Sequence, residues 1–417
     1  MKLLLKSATI IDPTSKHHGK KRDILIEKGI ISKIAASISD TKAKQISYKN
    51  LHVSSGWFDS SVSFGEPGYE ERENLDNGLL TAARSGFTSV AVNPNTLPVT
   101  DSKSHVKFLK SKSHGNPVTL YPVGALTVKS EGEDLAELYD MSKHGAVAFY
   151  DHKKPIQNPN LLKIALQYVQ GFNGLVQSFP FESRVAFKGV VNEEENSTRL
   201  GLKGIPALSE EIQIVRDLYI LEYTGGKLHI PTISTKKSVQ LIRDAKKRGL
   251  NISCSVAINN LLLTDEVLDT FDTNYKLLPP LRTKSDNTAL IKGLQDGTID
   301  GVTSDHDPLD IELKRTEFDH ASFGSIGLES CFGALMSITN LDTAIRSLTG
   351  LKRAFGVPSY SVKEGQAADL SLFDPTKQFT FKNEHIFSTS KNASMLGRRL
   401  QGVVYGIVNN GQFVSNG

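Results

Sequence analysis

Residues Asn74-Leu75-Asp76-Asn77-Gly78-Leu79-Leu80-Thr81-Ala82-Ala83-Arg84-Ser85, then Phe87-Thr88-Ser89-Val90-Ala91-Val92 and Asn93-Pro94-Asn95, hold the pattern that decides the fold. The first segment reads as a helix. The second is a β-branched run of strand length that stops at an Asn-Pro-Asn turn. Working outward, strand-length runs recur at Pro117–Val123 and Gly145–Tyr150, and helical stretches at Leu161–Gln170, Glu210–Glu222, Ser238–Arg248 and Asn287–Leu294. Apolar runs alternating with helical segments imply βαβ units around a parallel sheet. About eight such units over residues 53–362 predict an α/β fold of the (β/α)8 TIM-barrel type.

Both chain ends read differently. Lys2–Ile11 stops at Asp12-Pro13, Asp23–Glu27 turns at Lys28-Gly29 into Ile30–Ile34, and Gly402–Val408 runs through Asn409-Asn410-Gly411 into Gln412–Val414. These are strand and hairpin signals. Residues 1–52 and 363–417 are therefore expected to pair into one small β-sandwich domain.

The 417 residues carry 49 Lys and Arg against 45 Asp and Glu, a net charge of +4, too small to mark a nucleic-acid surface. Lys16-His17-His18-Gly19-Lys20-Lys21-Arg22 reads as a solvated turn. Two cysteines, Cys254 and Cys331, cannot build a disulfide framework and read as buried apolar groups. No apolar run reaches membrane-spanning length and the N-terminal one is too short for a signal peptide, so a cytoplasmic protein is expected. Gly324-Ser325-Ile326-Gly327 lacks the context and the lysine of a phosphate loop.

Barrels of this type place their chemistry at the C-terminal strand ends. There the chain carries Gly65-Glu66-Pro67-Gly68-Tyr69-Glu70, Asn93-Pro94-Asn95-Thr96, Leu200–Ala207, Ile233-Ser234-Thr235, Pro279-Pro280-Leu281-Arg282, Asp305-His306 and Phe323–Glu329. In order and spacing, these motifs resemble the dihydroorotases of the amidohydrolase superfamily, in their longer bacterial form, over nearly the whole chain. The resemblance implies pyrimidine biosynthesis, a hydrolase acting reversibly on the cyclic amide of dihydroorotate to give carbamoyl aspartate, and one or two Zn²⁺ ions. Zinc lowers the pKa of a bound water and polarises the carbonyl while a carboxylate shuttles the proton.

The resemblance assigns Asp305 to catalysis, Asn95 to substrate contact, and Asp59, Asp151 and Asp305 to the metal. The family's four histidine ligands fall on Ser61, Ser63, Gln177 and Thr232. Its substrate-gripping arginine falls on Gly65, and two further substrate contacts on Leu278 and Leu309. Hydroxyl and amide groups are poor zinc ligands beside imidazole, so no cofactor is expected and the chain reads as a pseudoenzyme. The resemblance then implies a homodimer and a structural or regulatory role beside aspartate transcarbamoylase. The alternative is an active dihydroorotase with an atypical metal site, built from the three carboxylates or from His152, His229 and His306. His229 precedes Thr232 by three residues and is expected on the opposite face of its strand. On the pseudoenzyme reading, Asp305→Ala is expected to leave the fold and partner binding nearly unchanged.

Overall fold

The computed structural model describes residues 1–416. Eight parallel strands follow one another around a barrel: Trp57–Val62, Phe87–Val92, Thr119–Gly124, Ala148–Phe149, Val176–Gln177, Leu228–Ile230, Ile252–Ala257 and Gly301–Thr303. Each pairs with the next in chain order. The ring closes through a parallel bridge between Val62 and His306 and through Ser63 N–H, which donates to the His306 carbonyl at 2.8 Å.

Helices wrap the outside, as the alternation of the sequence requires. The helix Leu75–Arg84 starts at Asn74, whose side chain accepts from Asn77 N–H, and buries Leu75, Leu79, Ala82 and Ala83. Lys236–Lys247 starts at Thr235 and Lys284–Gln295 at Thr283, each capped by its own hydroxyl. Along the strands Phe87, Val90 and Val92 face this helical layer. Ala91, between Val90 and Val92, fills the barrel together with Val123, Ala148, Phe58 and Phe355.

Both termini meet in one eight-stranded sheet, ordered Gln412–Ser415, Arg399–Asn409, Leu370–Thr380, His52–Ser55, Lys2–Ile11, Lys21–Glu27 and Ile30–Ala35, with Lys44–Ile46 also on Lys2–Ile11. The sheet curls around its own core of Leu3, Leu5, Ile24, Ile26, Val53 and Leu370, and Ile30 bridges Ala367. His52–Ser55 belongs to this sheet, so the chain enters the barrel at Gly56. The one tryptophan, Trp57, sits at that junction, its ring centroid 4.7 Å from that of Phe332 and 5.4 Å from that of Phe373. No helix is long and apolar enough to cross a membrane among the described residues.

Candidate functional site

The strand ends converge on Asp305, which follows the eighth strand in the left-handed region at φ 50° and is held there by its N–H donating to Thr303 Oγ1 at 3.2 Å. Its Oδ2 lies 2.9 Å from Nζ of Lys153, which leaves the fourth strand, also at positive φ. Asp307 Oδ2 is 4.0 Å from the same ammonium. Burial pulls the Lys153 pKa down, but Asp305 and Asp307 outweigh it and hold it above the ordinary lysine range. The Lys153 ammonium therefore lies between two carboxyl groups, both of which burial pushes above the usual carboxylate range.

Ser61, on the first strand, and Ser63, just beyond its end, share one donor. Asn93 Nδ2 lies 3.1 Å from Ser61 Oγ and 3.2 Å from Ser63 Oγ. Ser61 Oγ is 3.5 Å from Asp305 Oδ1, so an amide–hydroxyl chain reaches the carboxylate from this side. At Gly65 a β-carbon would lie 1.9 Å from the Tyr69 carbonyl oxygen. Gly65 N–H donates to the Glu73 carbonyl and Gly65 accepts from Tyr69 N–H, so the loop folds back over this position. An arginine has no room there.

Asp59 and Asp151 face backbone donors. Asp59 accepts from Ser61 N–H at 3.1 Å, Ser304 N–H at 2.9 Å and the Thr303 hydroxyl, tying the first strand to the eighth. Burial pushes its pKa up to about 6. Asp151 accepts from Leu126 N–H at 2.9 Å, Thr127 N–H at 3.0 Å and Thr127 Oγ1 at 2.5 Å. Among the described residues no three His, Cys, Asp or Glu side chains gather as a metal would need, and the resemblance-assigned Asp59 and Asp151 each face their own backbone donors. Two of these carboxylates are spent on ordering loop backbone.

The three histidines are also apart. His229 lies between Ser253 Oγ at 2.9 Å and Ser255 Oγ at 3.2 Å, beside Phe355, and burial lowers its pKa to about 3. Its neighbours Leu228 and Ile230 belong to the helix-side core, so His229 points into the barrel, not away from it. The period-two argument fails because Thr232 lies beyond the strand end, at φ 49°. His306 accepts at Nδ1 from Gly327 N–H at 3.1 Å, at the start of the helix Leu328–Met336, and burial takes its pKa to about 4. His152 has both ring nitrogens buried and unpartnered, and its ring stands edge-on to Tyr150.

Asn95 Oδ1, Gln177 Nε2 and Thr232 Oγ1 are likewise buried without a partner. Leu278 packs against the apolar filling of the barrel, and Leu309 is buried close to Gly324. Two further lysines clamp the segment that follows Asp305. Lys276 Nζ donates to the Phe318 and Asp319 carbonyls at 2.9 Å, and Lys314 Nζ to those of Thr273 and Ser322 at 2.9 and 2.8 Å. Burial lowers the Lys314 pKa to about 7.

Lys153, Asn93, Asp307 and the Tyr69 carbonyl do not emerge from the sequence reading. Lys153 leaves one local signal: it stands two residues after Asp151 at a strand end.

A family model described as dihydro-orotase-like matches residues 52–238. A dihydroorotase of Pelotomaculum thermopropionicum is 38% identical over 99% of this chain and 98% of its own. One of Syntrophus aciditrophicus is 36% identical over 97% of each. Among solved structures, an L-hydantoinase (dihydropyrimidinase) from Arthrobacter aurescens superposes with a TM-score of 0.84 at 19% identity, covering 99% of this chain and 96% of its own. A D-hydantoinase from Thermus sp. gives 0.80 at 21% identity, over 99% and 96%. The hydantoinase structures share the barrel-plus-β-domain fold, and the sequence relatives, matched end to end, make this chain a member of the dihydroorotase family of amidohydrolases.

Proposed function

We propose that this chain is a family member that does not carry out metal-dependent ring hydrolysis, and that it acts as a structural or regulatory partner of aspartate transcarbamoylase in pyrimidine biosynthesis. The observation that carries the non-catalytic reading is the Lys153 ammonium 2.9 Å from Asp305, the carboxylate that the resemblance assigns to proton transfer. A divalent ion beside that ammonium meets repulsion in a poorly screened, buried setting. The remaining donors are two hydroxyls shared by Asn93, the Gln177 amide and the Thr232 hydroxyl. This set does not fit Zn²⁺, which takes imidazole, thiolate and carboxylate. Without a metal-activated water, Asp305 has no nucleophile to deprotonate. Bound to Lys153, it serves as one half of an ion pair that braces the mouth of the barrel. The transcarbamoylase as partner follows from the resemblance, the intact scaffold supplying the docking body.

The test is metal analysis of protein purified from zinc-supplemented medium, with dihydroorotate hydrolysis assayed on the same sample. Less than about 0.1 metal per chain and no turnover is expected from a site with this donor set. Co-elution with aspartate transcarbamoylase is the expected companion result. Near-stoichiometric zinc with turnover would establish the alternative, an active cyclic amidohydrolase with an atypical site.

A further inference from the structure

The motif Phe323–Glu329 ends in a carboxyl that the barrel mouth does not use. Glu329 stands in the first turn of the helix Leu328–Met336. That helix, the helix Leu75–Arg84 and the strands Leu370–Thr380 and Arg399–Asn409 line a cavity of about 360 Å³. It lies at the seam between the barrel and the β domain. Its size is at the small end of ligand pockets, which run to roughly 300–1,000 Å³ and favour such seams. Phe332, Phe379, Phe387 and Tyr405 give it aromatic walls. Lys377 and Glu384, which also line it, are exposed, so the cavity opens to solvent.

The charges in this cavity do not satisfy one another. Arg84 and Lys377 bring two cations and Glu329 and Glu384 two carboxyls, yet among the described residues none of the four forms an ion pair. The Arg84 guanidinium lies over the Phe387 ring, 5.0 Å from its centroid. Glu329 Oε1 accepts from Ser388 N–H at 3.0 Å and from the Ser388 hydroxyl at 2.5 Å, while Oε2 is buried and has no partner. Ser85 Oγ and Asn416 Oδ1, also in the lining, are buried without partners as well. Since Arg84 sits on Phe387 and Glu329 holds the next residue, an unused cation and an unused carboxyl oxygen stand beside the same short stretch of chain. Buried polar atoms left in this state cost free energy that a matching ligand recovers.

The match needs three groups: an aromatic ring for the walls, an anion for the guanidinium, and an N–H-donating cation for the free carboxyl oxygen. A purely apolar compound would strand the charges. A simple anion would leave Glu329 and the aromatic walls unused. An α-amino acid with an aromatic side chain carries all three groups within one small molecule. We propose that this seam cavity binds a free aromatic α-amino acid, its carboxylate on Arg84, its ammonium on Glu329 Oε2 and its ring among Phe332, Phe379 and Phe387. A ligand held there ties two barrel helices to the hairpin of the β domain. The inference does not depend on whether the barrel mouth is catalytic.

Titration calorimetry of the full chain with L-phenylalanine, L-tyrosine and L-tryptophan tests it. At least one should bind with a dissociation constant of about 1 mM or below, the range open to so small a ligand. Phenylacetate lacks the ammonium and phenethylamine the carboxylate, and each should bind about 10-fold more weakly than L-phenylalanine. L-Alanine lacks the ring and should give no signal. Glu329→Gln keeps an oxygen for Ser388 and should weaken the amino acid about 10-fold or more, with phenylacetate unaffected. Arg84→Met keeps an apolar stem over Phe387 and should weaken it as much, with phenethylamine unaffected. Retained binding of the truncated ligand also shows that each variant is folded. The one tryptophan, Trp57, stacks on Phe332 from behind the cavity wall and supplies a second readout in its fluorescence. Silence from all three amino acids at about 10 mM would overturn the proposal. So would binding that L-alanine equals, or that both variants leave intact.

Discussion

Nζ of Lys153 lies 2.9 Å from Oδ2 of Asp305, and both side chains are nearly nine-tenths removed from solvent, at 12% and 11% exposure. Such a pair is costly to break from one side, because the group left behind is a buried, unpaired charge. Asp305→Ala is therefore predicted to cost stability, where the residue identities alone lead one to expect a nearly unchanged fold. Removal of the carboxylate strands Lys153 with only Asp307, 4.0 Å away.

Lys153→Met should destabilise the protein by about 3–5 kcal/mol in urea unfolding, and Asp305→Ala by a comparable amount. The double variant Lys153→Met with Asp305→Asn should cost clearly less than the sum of the single changes, since neither side then keeps an unmatched charge. Additive losses would show that the two residues do not act as a pair.

Restoring the first-strand imidazoles alone should not restore chemistry. In Ser61→His with Ser63→His, Gln177, Thr232 and Gly65 remain, and the Lys153 ammonium stays beside Asp305. Zinc content and dihydroorotate hydrolysis should both stay at background. Robust turnover in this variant would refute the account of the site.

Gly65→Ala should destabilise by about 2–3 kcal/mol, because the added carbon meets the Tyr69 carbonyl at 1.9 Å and the loop must move. Gly65→Arg should cost more. Thermal melts of the two variants decide the point, and a neutral alanine would mean that the loop does not close over this position.

Acid stability has a sign set by buried imidazoles. Burial takes His229 to about 3 and His306 to about 4, against 6.5 in an unfolded chain. Between about pH 4 and 6.5 the unfolded chain binds more protons, so their contribution is whole above 6.5 and lost as pH falls. Asp59, raised to about 6 by burial, acts in the opposite direction as pH falls from 6 towards 3.8. The imidazole contribution to the melting temperature should therefore fall from pH 6.5 to 4.5, while other buried carboxyls held above their usual range, among them Asp151, Asp217, Asp307 and Glu329, oppose it. His306→Gln should flatten that fall, whatever it does to the absolute value. An unchanged slope in that variant would place the acid sensitivity elsewhere.

The sequence by itself determined the barrel and the residue types at its strand ends. Strand and helix periods are local, and each segment carries them within its own few residues, so Phe87–Val92 or Lys236–Lys247 can be read without knowing its neighbours. That Ser61, Ser63, Gln177 and Thr232 stand where the resemblance would put imidazoles is likewise a matter of residue identity at a strand end. What each of the buried groups around the strand ends is paired with was decided only by the tertiary structure. Lys153 reaches Asp305 across 152 positions of sequence, and the Tyr69 carbonyl fills the space at Gly65 because a loop turns back on itself. Asp59 and Asp151 are drawn off by backbone N–H groups 245 and 25 residues away, whose direction depends on how the chain leaves the barrel there. Side-chain chemistry is written in the chain, but the partner each buried charge finds is set by loop paths and by the need to leave none of them unpaired.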